Sequence, residues 1–242
     1  MTTNGKTVRK LPALLRGELG IVPSRIESVG VSQTMTYLAL IILGTGAFGA
    51  AIGFWRAPLQ AIYAAAKLPL VIILTTYSNA LLNGMLAPLL GLNIGFRQSL
   101  VLILTSFVIA SAILGSFSPL VLFLIWNVPP ASVSGETTQL AYGFLQLALA
   151  AIIAFAGVMA NWRLLPLLRE HGASRSVANR VLFAWLAGNL FLGSQFCWML
   201  RPFVGKPDLP VEFLGPGLHE GNFFETIFDN VRQLAVKMFN HS

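Results

Sequence analysis

Residues whose side chains could do chemistry are few in this sequence, and they are widely spaced. Its histidines and its single cysteine are His171, His219, His241 and Cys197. Glu220 follows His219, but the next residues are "GNFF", so the second histidine that a zinc-protease helix requires is missing. One cysteine excludes an intramolecular disulfide and a cysteine-rich metal site. We therefore expect no catalytic residue, no metal ligand and no cofactor.

Phosphate-binding and nucleophile motifs are missing as well. The sequence contains neither a Walker loop nor the G-x-S-x-G pattern of a nucleophile elbow. The apolar segments predicted to span a membrane carry no Asp, Glu, Lys, Arg or His in their central portions. Proton relays and haem ligation inside a membrane use such groups, so a carboxylate-based pump and a haem protein are disfavoured. The sequence predicts a protein that is not an enzyme.

Amide side chains are the main polar groups within these apolar segments. Asn79 and Asn83 are four residues apart and share one face of a helix, while Asn189 and Gln195 lie together in a later segment. Amides can hydrogen-bond between helices and hold them together. The alternative is that the four amides line a polar path for a neutral or dehydrated solute.

Small residues mark a second candidate for helix packing. In "TGAFGAAIG", three residues separate Gly49 from Gly53. Glycines at that spacing lie on one face of a helix and let another helix backbone approach closely. We expect the two glycines to pack against a neighbouring helix.

The composition indicates which elements must position these residues. The chain has 242 residues, of which 55% are hydrophobic and 10% are charged, and its mean hydropathy is +0.73. A soluble domain of this size could not bury so much apolar surface. The sequence predicts an all-α polytopic membrane protein, because about 20 apolar residues cross a bilayer as a helix. Five spans are predicted near 31–54, 68–90, 99–126, 138–162 and 181–200.

Basic residues predict the orientation of the spans. Five Lys or Arg residues precede the first span, and four Arg residues lie within 163–180. The positive-inside rule then predicts that 1–30 and 163–180 are cytoplasmic and that 201–242 lies outside, in a cytoplasmic (inner) membrane. Residues 55–67 could form a loop, a re-entrant segment or an interfacial helix.

The last 42 residues, 201–242, are predicted to form a separate segment. Prolines in "RPFVGKPDLP" predict an extended connector that begins where the fifth span ends. An amphipathic helix is predicted near 222–239, with Asn222 as its N-cap. This helix could lie in the lipid headgroups or pack on another protein, and its low net basicity favours protein. The candidate partner-docking residues are Arg201, Pro202, Phe203, Phe224 and Phe228.

The arrangement resembles the Yip1 group of small membrane proteins. The likeness covers 31–200: five spans, a basic cytoplasmic N-terminal segment, an outside C-terminus and the proline-containing segment "WRAPLQAIYAAAKLPL" after the first span. The acidic, glycine-containing signature of that group is absent, since Arg56 and Ala57 precede the proline here. The resemblance implies a membrane organiser, without enzymatic activity, that binds other membrane proteins.

These observations together predict a non-catalytic subunit or organiser of a membrane protein complex. Its expected partners are the lipid bilayer and membrane proteins, or further copies of itself, and no nucleic acid. The alternative is a channel or transporter component for an uncharged or weakly charged solute.

Overall fold

A computed structural model gives the fold of this chain. It describes residues 30–89, 96–132, 135–164, 174–207, 209–215 and 223–240. Most of the basic residues behind the predicted orientation lie outside these ranges, as do the three histidines and Asn222. Within the described ranges the regular structure is helical and contains no strand.

Six helices follow one another along the described chain. They are α1 (Val31–Gly53), α2 (Pro58–Leu89), α3 (Phe96–Trp126), α4 (Glu136–Trp162), α5 (Arg175–Met199) and α6 (Phe223–Asn240). The first five are long and apolar enough to cross a membrane. This confirms the all-α, polytopic fold class, and α6 occupies the segment of the predicted tail helix.

The second helix begins earlier than the sequence predicts. A turn follows α1, in which the N–H of Arg56 donates to the carbonyl oxygen of Gly53 at 3.2 Å. α2 then starts at Pro58, where proline is tolerated because the first helical N–H has no intrahelical acceptor. Most of the segment 55–67 is therefore the first turns of α2, and Lys67 lies inside a membrane-span helix.

The chain divides into two compact units, and each of α1 to α5 contributes a part to both. The first unit takes its described residues from 1–43, 72–113 and 155–192. Its core is apolar and includes the large side chains of Tyr37, Leu102, Phe107 and Trp185, all buried.

The second unit takes its described residues from 44–71, 114–154 and 193–242. Its buried apolar residues include Phe48, Leu68, Leu114 and Leu145. Its buried polar residues include Gln60 and Lys67. A buried polar group needs a hydrogen-bond partner, so the side chains of these two residues must find partners within the fold.

Candidate functional site

The buried lysine of α2 is the centre of the candidate site. Lys67 has 0% of its surface exposed, although it lies within the membrane-span helix Pro58–Leu86. Its Nζ donates a hydrogen bond to the carbonyl oxygen of Pro202 at 2.9 Å. The same Nζ lies 4.9 Å from the centre of the Phe213 ring. A backbone carbonyl and an aromatic face thus surround the ammonium group.

The cost of burying an ammonium group makes these two contacts important. An unpaired charge in a membrane helix is expensive and usually marks a function. No carboxylate among the described residues pairs with Lys67. The carbonyl dipole of Pro202 and the negative face of the Phe213 ring are the groups that stabilise the positive charge. Lys67 therefore attaches the segment that follows α5 to α2.

Gln60 strengthens the same attachment from one side. It precedes Lys67 by seven residues, which is two helical turns, so both side chains lie on one face of α2. Its Nε2 donates to the carbonyl oxygens of Pro202 and Phe203, each at 2.9 Å. Its Oε1 has no hydrogen-bond partner in the described part of the chain. Pro202 O therefore accepts from both Gln60 and Lys67.

Arg56 makes the third attachment. Its Nη2 donates to the carbonyl oxygen of Leu209 at 3.1 Å. Gly205 lies against this arginine with φ +85°, and a Cβ built there would be 3.0 Å from Arg56 Cγ. Only glycine adopts that backbone conformation without strain and leaves room for the arginine. We call residues 201–215 the connector and the set Arg56, Gln60, Lys67, Pro202 and Phe213 the connector-anchoring site.

The connector also folds on itself. The N–H of Gly215 donates to the carbonyl oxygen of Arg201 at 3.0 Å, and the guanidinium of Arg201 lies over the Trp198 ring, 3.5 Å from its centre. The peptide bond between Arg201 and Pro202 is cis. Arg201, Pro202 and Phe203, the predicted docking residues of this segment, are all half-buried. Their role in docking a partner stays a prediction.

Four asparagines form a hydrogen-bonded chain in the first unit. The Nδ2 of Asn83 donates to Asn79 Oδ1 at 2.9 Å, and the Nδ2 of Asn79 donates to Asn189 Oδ1. The Nδ2 of Asn189 donates to Asn161 Oδ1 at 3.4 Å. Asn161 donates in turn to the carbonyl oxygen of Gly157 at 2.8 Å. These hydrogen bonds link α2, α5 and α4, which agrees with the prediction that the amides hold helices together.

A glycine makes this asparagine chain possible. A Cβ at Gly188 would lie 2.7 Å from Asn79 Oδ1. The absence of a side chain on α5 lets the Asn79 amide reach Asn189. Sequence reasoning missed Asn161, because it stands beside Trp162 at the end of a span. Gln195, predicted with the other amides, is half-buried and belongs to the second unit.

The two glycines of α1 lie against the backbone of α2. A Cβ at Gly49 would be 2.8 Å from the carbonyl carbon of Ala64, and one at Gly53 would be 2.7 Å from Ala61 Cα. Real Cβ atoms do not approach other atoms so closely, so both positions require glycine. The contact holds the start of α2 beside the end of α1, and with it Gln60 and Lys67.

The remaining predicted residues lie on α6. Phe224 has 46% and Phe228 has 67% of its surface exposed. Within the described residues, no group of three or more His, Cys, Asp or Glu side chains could hold a metal ion. The contacts at the connector-anchoring site are suited to holding a segment in place. They offer no nucleophile with a neighbouring base.

Comparisons with known proteins add no relative. The chain matches no protein-family model, no curated protein and no solved structure. The resemblance to the Yip1 group stays a prediction from the architecture.

Proposed function

We propose that this protein is a non-catalytic integral membrane subunit, which organises a complex through contacts within the bilayer. The observation that carries the proposal is a mismatch between apolar character and burial. α5 has the lowest mean hydropathy of the five spans, yet only 17% of its most apolar window is buried within the chain. α3 has the highest mean hydropathy, and 67% of its window is buried.

In a chain surrounded only by lipid, the opposite order of burial would be favoured. The less apolar helix would be shielded inside the bundle, and the most apolar helix would face the hydrocarbon. Contact with another protein would shield α5. Its exposed residues include Phe183 at 74% and Leu190 at 55%, with the small residue Ala187 between them. The spacing of these three residues places them on one face, and an exposed alanine lets a partner helix approach closely.

The asparagine chain supports a subunit rather than a solute path. A path for a neutral solute needs amide groups that are available to the solute. Here each of Asn79, Asn83, Asn161 and Asn189 donates to another group of the chain. The amides are thus used to hold α2, α4 and α5 together.

Photo-crosslinking in native membranes tests the proposal. A photoreactive phenylalanine analogue replaces Phe183 on α5 or, as a matched control, Phe123 on α3, whose side chain is 60% exposed. We expect a protein adduct from position 183 and only lipid adducts from position 123. Lipid adducts alone from both positions would contradict the proposal. Solute uptake by the purified protein reconstituted alone would favour the alternative, a channel or transporter component.

The proposed orientation places residues 1–30 and 163–180 on the cytoplasmic side of an inner membrane and 201–242 outside. Its support is the number of basic residues in the first two segments. An odd number of spans also places the two ends of the chain on opposite sides. The connector-anchoring site would then lie at the outer side of the protein.

A further inference from the structure

α6 is attached to a membrane-span helix by a side-chain hydrogen bond. The Nδ2 of Asn230 donates to Gln146 Oε1 on α4 at 2.6 Å. Gly143, one turn before Gln146, lies beside the same asparagine, since a Cβ there would be 4.0 Å from Asn230 Oδ1. Both α4 residues lie within the candidate span Glu136–Trp162. α6 therefore contacts α4 at Asn230.

Two aromatic residues indicate the membrane level of this contact. The rings of Trp55 and Tyr142 stack with their centres 6.2 Å apart, and Trp55 Nε1 donates to the carbonyl oxygen of Pro129 at 3.0 Å. Trp55 is buried, at 6% exposure, and it lies in the turn that follows α1, while Pro129 lies in the segment that follows α3, so both stand where a span ends. Gln146 is one turn from Tyr142 and donates to its hydroxyl at 2.9 Å. Asn230 thus meets α4 at the interfacial level.

The residues of α6 fall into three groups around its axis. At about 100° per residue, these groups lie in three directions that are roughly 120° apart. Asn230 lies in the first direction, an apolar stripe in the second and two carboxylates in the third. The apolar stripe consists of Phe224, Phe228 and Val231, with exposed fractions of 46%, 67% and 49%. The carboxylates are Glu225 and Asp229, both exposed, and Val236, which is 50% exposed, lies on the same side two turns after Asp229. A helix beside a membrane span at the interface has three such neighbours: the bundle, the lipid and the water.

We infer that the apolar stripe of α6 is buried in lipid at the surface of the bilayer, which is the outer surface in the proposed orientation, and that α6 acts there as an interfacial helix. The occupant of the stripe is the acyl and glycerol region of the membrane. The anchor to Gln146 determines the direction in which the stripe points. This assignment differs from the sequence-based preference for a protein partner, because sequence could not place α6 beside α4.

Charge on α6 determines which lipids are required. Glu225 and Asp229 offset Arg232 and Lys237, so the helix has no net charge from these four residues. Binding through the stripe is therefore apolar and needs no anionic lipid. Zwitterionic and mixed anionic bilayers should give the same insertion.

Quenching of a single fluorophore tests this inference with the full chain. Cys197 is replaced by serine, and an environment-sensitive dye is attached to Val231→Cys or, as a matched control on the carboxylate side, to Asp229→Cys. Each protein is placed as a single copy in lipid nanodiscs, made of phosphatidylcholine with or without phosphatidylglycerol. A lipid carrying a spin label near its headgroup and aqueous iodide are the two quenchers.

We expect the lipid quencher to act at least about twofold more strongly at position 231 than at 229, and iodide to show the reverse. The result should be the same in both lipid mixtures. Strong iodide quenching at 231 would overturn the inference and place the stripe in water. Protection of position 231 from both quenchers would also overturn it, and would assign the stripe to a contact within the chain. Phe228→Cys gives an independent repeat should the first variant fold poorly.

Discussion

Lys67 donates a hydrogen bond to the carbonyl oxygen of Pro202, 135 residues further along the chain. The bond joins a buried lysine in α2 to the connector that follows α5. The hydrogen bond thus attaches the connector to α2.

Lys67→Met should loosen the connector without unfolding the bundle. The variant removes a charge-assisted hydrogen bond worth about 1.5 to 3 kcal/mol. Replacing a buried charge by an apolar side chain is often neutral for the rest of a fold. We expect amide hydrogen exchange at Gly215 to rise by at least about tenfold, while the detergent melting temperature stays unchanged. Lys206→Met is the control, because Lys206 is exposed. Equal exchange in both variants would show that Lys67 does not anchor the connector.

Gly53→Ala should destabilise the contact between α1 and α2. The new Cβ would meet the backbone of Gln60 and Ala61, which cannot move as a side chain can. Overpacking of this kind costs about 1 to 3 kcal/mol. Gly157→Ala is the control, since nothing lies within 4 Å of a Cβ there. Thermal unfolding in mild detergent should give a lower midpoint for Gly53→Ala alone. Equal midpoints would contradict the close contact.

Gly188→Ala should disturb the asparagine chain through Asn79. The added methyl group displaces the Asn79 amide and weakens its bond to Asn189, which we expect to cost about 1 kcal/mol. In an Asn79→Ala background the displaced oxygen is gone, so the same substitution should have little further effect. A double-mutant cycle on the free energy of unfolding measures this difference. Full additivity would show that Gly188 and Asn79 are independent.

The two ends of the chain should be on opposite sides of the membrane. Cysteines introduced at Gly5 and Asn240, each in a protein with Cys197 replaced, would be labelled by a membrane-impermeant maleimide. We expect labelling of intact cells at position 240 only, because basic residues keep the first segment inside. Labelling of both positions from one side would remove the five-span topology.

The five spans could be predicted because the signal is local. Apolar runs of sufficient length separated by charged or proline-rich segments predict membrane helices without any knowledge of tertiary contacts. The start of α2 was missed for a related reason. Arg56 and Lys67 indicated a segment outside the span, while Pro58 as a first helical residue was the signal for an earlier start.

The anchoring contacts could not be predicted, because they are non-local. A buried lysine is tolerated only where a partner is available, and the partner of Lys67 is a backbone carbonyl, which any residue carries. Gln60 and Lys67 share a face of α2 only once the helix is known to start at Pro58. Asn161 and Asn189 meet through the packing of α4 and α5. A sequence shows the amides but does not show which of them meet.

Native mass spectrometry of the protein extracted in native lipid particles tests the proposed role as a subunit. We expect a defined species heavier than the 26.1 kDa chain, containing a second membrane polypeptide or further copies. Replacing exposed Phe183 and Leu190 on α5 by serine should shift that species toward the single chain. A single chain with bound lipid as the sole species in the native particles would show that the protein is not a subunit of a complex.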